Sequence, residues 1–188
     1  MQREGNLVRR AQGQDPEAFG RLYEEHFDRI YRYIVLRVRN QADAEDLTQE
    51  VFLKALDYIG SYRCKGMPFS SWLFRIAHNQ VVDHWKKKSR EKARVIPLDE
   101  IDEARTLPSG DPAMLAEQKL SLEQLAAACE RLSDGQREVI SLRFAGGLSV
   151  AEAARVMGKS EGAVKVLQYA ALMKLRRILG SSEEESDD

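Results

Sequence analysis

The chain has 188 residues, 43% hydrophobic and 31% charged, a globular composition long enough for one ordinary domain or two small ones. Its net charge is −1, no apolar run approaches the length of about 18 residues that a membrane helix needs, and the start MQREGNLVRRAQGQ lacks the apolar core of a secretion signal, so membrane insertion is not expected and a cytoplasmic protein is. Cys64 and Cys129 lack the close spacing of a zinc site or redox pair, which points to ordinary reduced thiols and implies no metal and no cofactor.

In chain order, DPEAFGRLYEEHFDRIYRYIVLRVRN opens with Asp15 as N-cap and Pro16 at the first helical position. Phe19, Leu22, Tyr23, Phe27, Ile30, Tyr31, Ile34 and Val38 then recur at helical spacing, which predicts a long amphipathic helix. A second helix is predicted from near Asp43 to about Ile59, with Ala44, Leu47, Val51, Ala55 and Leu56 on one face. GSYRCKGMP breaks the pattern, and Ser70 or Ser71 is the expected cap of a third helix, WLFRIAHNQVVDHWKKK, which holds both tryptophans and ends in three lysines. From Ser89 to Asp111 the periodicity fades into an acidic linker, and Asp111–Pro112 restarts helix formation. SVAEAARVMG carries a capping box, Ser149 with Glu152, and ends at Gly158; a last helix runs from after Ser160 to Leu179 with Gly180 as its stop. Without strand-like alternation anywhere, the predicted fold class is all-α, two small helical domains at 5–94 and 112–180 joined by a linker at 95–111 and followed by an acidic tail at 181–188.

The near-neutral total hides strong segregation of charge. Arg75 to Arg94 holds seven Lys/Arg against two acids, and Arg155 to Arg177 holds six against one. Between them, Asp99 to Glu123 has seven acids against two bases, and five more acids close the chain. Two basic surfaces are thus separated by an acidic spacer.

In the C-terminal half, a short capped helix, a turn around MGKS and a longer basic helix form a helix-turn-helix pattern. Val164, Leu167, Ala171, Leu175 and Ile178 share the packed face of the longer helix; Gly162, Lys165, Val166, Tyr169, Met173 and Arg176 lie opposite. Such a face suits a DNA major groove, where phosphates attract the basic groups and base edges meet the rest. The bland alternative is a helical hairpin with a solvated basic side. In the N-terminal half, Asp46, Gln49, Glu50 and Leu53 project from the second helix away from its apolar stripe, which alone reads as a solvated acidic face.

The succession DPEAFGRLYEEHF, AEDLTQEVFLKAL, FSSWLFRIAHNQVVDHWKKK and LSDGQREVISLRFAGGLSVAEAARVMGKSEGAVKVLQ, spanning about Leu7 to Leu179, resembles the extracytoplasmic function (ECF) sigma factors of the bacterial sigma-70 family. The resemblance implies a promoter-specific transcription initiation factor that is not an enzyme. It implies that Asp46, Gln49, Glu50 and Leu53 bind the clamp helices of the largest subunit of core RNA polymerase, and that the second domain meets the flap of the second largest subunit. It places Tyr62 and Arg63 in the loop that selects a flipped base of the minus-ten element, and Arg75, His78, Asn79, Lys86, Lys87 and Lys88 on the same opened DNA. It places Gly162, Lys165, Val166, Tyr169, Met173 and Arg176 on the minus-thirty-five element, with Arg143 on phosphate, and implies an anti-sigma factor as a further partner. Housekeeping members carry a tryptophan pair where this chain has Arg75 and Ile76, which implies weaker melting and stricter promoter choice.

Two other functions compete with this one. A helix-turn-helix regulator would bind duplex operators without replacing the sigma subunit. A helical nuclease or nucleotide hydrolase would gather Asp43, Glu45, Asp46 and Glu50 around magnesium, although only Asp46 and Glu50 share a helix face.

Overall fold

The computed structural model describes residues 2–38, 40–64, 67–92 and 127–184; the expected linker, the helix restart at Asp111–Pro112 and the last four residues of the tail lie outside them. Helix α1, Gln2–Gln12, is an addition to the predicted elements. Its buried stripe is only Leu7, Val8 and Ala11, little more than one turn and too short to register as a period. The chain leaves it through Gly13 and through Gln14 in the left-handed region (φ 63°).

Helix α2, Pro16–Val38, starts as expected: the Asp15 carboxylate accepts from the backbone N–H of Glu17 and Ala18, at 3.0 and 3.1 Å. Helix α3, Gln41–Tyr58, is capped by Asn40, whose side chain accepts from the Asp43 N–H, and passes through a 3-10 turn at Ile59–Ser61. Helix α4, Phe69–Lys92, begins before the serines expected to cap it. Ser71 is fully buried, and its hydroxyl donates instead to Glu152 at 3.2 Å, far along the chain. Leu22, Ile30, Ile34, Val51, Leu73 and Val81 pack among these helices with almost no exposure.

The C-terminal helices are α5, Asp134–Ile140, widening at once into a π-type turn over Ser141–Ala145, then α6, Val150–Met157, and α7, Glu161–Glu184. Both α5 and α6 open on capping boxes, Ser133 with Gln136 and Ser149 with Glu152. Gly158 closes α6 in the left-handed conformation (φ 62°), where a Cβ would be strained. Gly180 does not stop α7, which runs on to Glu184: a glycine in a helix interior costs only about 1 kcal/mol, and without a left-handed turn it is no terminator.

The two groups of helices pack on each other, α4 against α6 and α2 against the π-type turn. Glu138 is the centre of that interface. Its carboxylate accepts from the Tyr33 hydroxyl at 2.8 Å and meets His78 Nδ1 at 2.9 Å, and it forms an ion pair with Arg37 Nε at 2.8 Å. Arg29 donates twice to the Gly146 carbonyl, at 2.9 and 2.6 Å, and lies 5.6 Å from the centre of the Phe74 ring. Gly146 is required there, since a Cβ would sit 2.8 Å from both the Phe74 ring and the Leu142 carbonyl.

Candidate polymerase and nucleic-acid interfaces

The period of α3 turns Ala44, Leu47, Thr48, Val51, Phe52 and Ala55 into the core and leaves Asp46, Gln49 and Leu53 exposed. Leu53 is 62% exposed, and Tyr58 at 60% and Leu56 at 50% extend the apolar part of this surface. Leu56 therefore departs from its expected inward position, because Ile59 in the 3-10 turn closes the core at that end. Glu50 is exposed but partnered: it accepts from Gln80 of α4 at 2.6 Å, while Lys54 donates to the same Gln80 side chain. The result is an acidic rim around exposed leucine and tyrosine, a surface suited to a helix that carries basic and apolar groups.

The residues proposed to read opened DNA divide into exposed and occupied groups. Arg75, Asn79, Lys86 and Lys87 are exposed on α4. Lys88 is half-buried, 3.7 Å from Asp43 and 5.9 Å from the centre of the Trp85 ring, so it ties α4 to α3 as much as it extends the basic track. His84 contacts the same Asp43 at 3.6 Å and packs edge-on to Trp85. His78 is engaged by Glu138. Tyr62 is 6% exposed, its hydroxyl donates to the Met67 carbonyl at 2.7 Å, and its ring packs against Phe69 and Trp72. It props the loop from inside. Arg63 is the exposed member of the pair.

On α7, Val164, Ala171 and Leu175 are buried and Leu167 and Ile178 half-buried, as the period predicts. Gly162, Lys165, Val166, Tyr169, Met173 and Arg176 lie exposed together on the other side, the apolar groups Val166 and Tyr169 at 69% and 68%. The Ser160 hydroxyl caps this helix by accepting from the Ala163 N–H. Arg143 is half-buried: its guanidinium donates to Gln168 of α7 at 2.9 Å and to the Leu148 carbonyl, so it fixes the angle between the turn and α7. Phe144, 60% exposed beside it, is a surface group that periodicity does not single out, because the π-type turn shifts its direction.

Three of the four acidic residues of the nuclease alternative are otherwise employed, and the fourth, Asp46, is exposed on α3. Asp43 faces His84 and Lys88, Glu45 accepts from Gln41, and Glu50 accepts from Gln80. Among the described residues no group of three or more His, Cys, Asp or Glu side chains is arranged to hold a metal ion, and no helix is long and apolar enough to cross a membrane.

Comparison with known proteins places these surfaces in a family. Residues 22–91 match the model of Sigma-70 region 2, and residues 128–177 match that of Sigma-70, region 4. The chain is 47% identical over 173 residues to the ECF RNA polymerase sigma factor BldN of Streptomyces coelicolor, covering 92% of this chain and 64% of that protein. It is 34% identical over 182 residues to the ECF RNA polymerase sigma factor ShbA of Streptomyces griseus, covering 93% and 94%. The structure of CnrH in complex with the cytosolic domain of CnrY is similar at a TM-score of 0.72 and 25% identity, over 95% of this chain and 98% of that one. An α3 with an open acidic and apolar face, a basic α4 and a helix-turn-helix, in that order and matched along nearly the whole length of ShbA, make this chain a member of the ECF sigma factors of the sigma-70 family.

Proposed function

We propose that the chain is a dissociable specificity subunit of RNA polymerase, acting in the cytoplasm and directing initiation at promoters with defined minus-ten and minus-thirty-five elements. Residues 5–94 form the unit that binds core polymerase and the minus-ten element, and 112–180 the unit that binds the flap and the minus-thirty-five element. Asp46, Gln49 and Leu53 meet the clamp helices, with Glu50 shared between that interface and Gln80. Arg63, Arg75, Asn79, Lys86 and Lys87 meet opened DNA; Lys165, Val166, Tyr169, Met173 and Arg176 meet the upstream duplex. An anti-sigma factor is a fitting third partner, since the similar CnrH is seen bound by another protein, the cytosolic domain of CnrY.

The observation that carries this reading is the exposure of the α7 face and the α3 face on one chain that matches regions 2 and 4 in order. Reconstitution with core polymerase tests it: initiation from a defined promoter class supports the reading. Selective binding to duplex operators by the chain alone, with no gain in initiation, would favour the regulator.

A further inference from the structure

We propose that Gln12, on α1, is a positioning residue for base choice in the minus-ten element. This rests on the promoter-reading role proposed above. The Gln12 side-chain amide donates to the carbonyl of Ile59 at 3.1 Å and to the carbonyl of Tyr62 at 2.8 Å, so one NH2 group spans both ends of the 3-10 turn that launches the loop. Arg63 claims the Gly60 carbonyl at 2.9 Å and shares the Tyr62 carbonyl at 3.0 Å. Of the two carbonyls that set the direction in which Arg63 leaves the surface, that of Tyr62 is thus also held by Gln12, and that of Gly60 lies between the two that Gln12 holds.

The anchor beneath Gln12 is firm. Leu7, Val8 and Ala11 are buried, and at the other end of α1 Glu4 bonds to His26 of α2 at 3.1 Å. The His26 ring packs 5.5 Å from Phe69, and Phe69 in turn backs Tyr62. Both the outer and the inner supports of the loop thus lead to α1. Glutamine suits the task because it has two donors for two carbonyls; a glutamate would aim a second acceptor at them.

Gln12→Glu and the near-isosteric Gln12→Met both remove these donors. The expected effect is a loss of discrimination between the best and next-best base at the most selective minus-ten position by about threefold to tenfold, the equivalent of about one ordinary hydrogen bond. The measurement is holoenzyme binding to fork DNA with each base exposed in turn, alongside core affinity and salt dependence. Core affinity and salt slope should stay at wild-type values, which a general loosening of region 2 would not allow. Unchanged base preference in a folded variant, or a loss equal for every base and matched by weaker core binding, would overturn the assignment of Gln12. A wild-type holoenzyme with no minus-ten preference would instead overturn the promoter-reading role itself.

Discussion

Glu138 keeps its charge inside the protein because Tyr33, Arg37 and His78 of the other helical group converge on it. Burial alone would push the carboxyl up; the His78 hydrogen bond, the Arg37 charge and the Tyr33 hydroxyl together hold it below its ordinary value of 4.5. A carboxyl lowered in the folded state contributes stability that is fully present above its unfolded value and is lost as pH falls through the lowered one. Thermal unfolding followed from pH 7 downward should therefore show this contribution intact to about 4.5 and declining below it. Glu138→Ala leaves Arg37 buried without its partner and should cost about 3–5 kcal/mol at neutral pH, with a flatter acid limb. An unchanged melting temperature at neutral pH would remove Glu138 from the centre of the interface. None of this is legible from the sequence, where Tyr33, Arg37, His78 and Glu138 lie on three separate helices. The burial of Tyr62 is hidden for a related reason: only the arrival of Phe69 and Trp72 from α4 makes it part of the core.

At the scale of elements, the helix punctuation is legible wherever a side chain supplies it, at Asp15, Ser149, Gly158 and Ser160, because caps depend on residues a few positions apart. Helix α1 and the π-type turn are not, since the first has a one-turn stripe and the second breaks the period that would announce it. On the proposed reading, the same helices separate affinity from specificity. Lys86 and Lys87 stand exposed on α4 while Lys88 is tied to Asp43, so replacing the first two by alanine should remove most of the salt dependence this run provides. The slope of log affinity against log salt on single-stranded DNA should fall by about 0.7 for each phosphate no longer neutralised, with the preferred minus-ten sequence unchanged. An unaltered slope would make the lysines a solvated helix end. On α7, Lys165→Ala should weaken upstream binding about evenly across sequences, whereas changes at Val166 or Tyr169 should re-rank them. Identical rankings from a promoter library for all three variants would show that this face is not the reader.

At the scale of the whole molecule, the two helices proposed to read DNA, α4 and α7, lie closer together than the proposed task allows. Helix α4 packs on α6, and α6 packs on α7, so at about 8–10 Å per helix pair the two readers lie on the order of 20 Å apart. Elements named for positions ten and thirty-five are roughly 25 base pairs apart, on the order of 85 Å at about 3.4 Å per pair. On the proposed reading, the C-terminal helices are expected to leave the α2–α4 face when both elements are bound, releasing Arg29 from Gly146 and Glu138 from Tyr33, Arg37 and His78. Spin labels at Glu24→Cys and Lys159→Cys, with exposed Cys64 replaced by serine, should report a distance that lengthens by tens of ångströms when core polymerase is added. A distance unchanged by core polymerase would mean that the packed form is also the working one. The measurement that bears most directly on the sigma-factor role is initiation by the reconstituted holoenzyme on a promoter library, run with the wild-type chain and with Asp46→Lys. Wild type should turn core polymerase from non-selective to selective, with transcripts sharing one minus-ten and one minus-thirty-five sequence. Asp46→Lys, folded but with the charge facing the clamp reversed, should lower core affinity several-fold or more and lose that selectivity in parallel. Core polymerase that starts no new transcripts with the wild-type chain, or that retains full affinity for the Asp46→Lys variant, would contradict it.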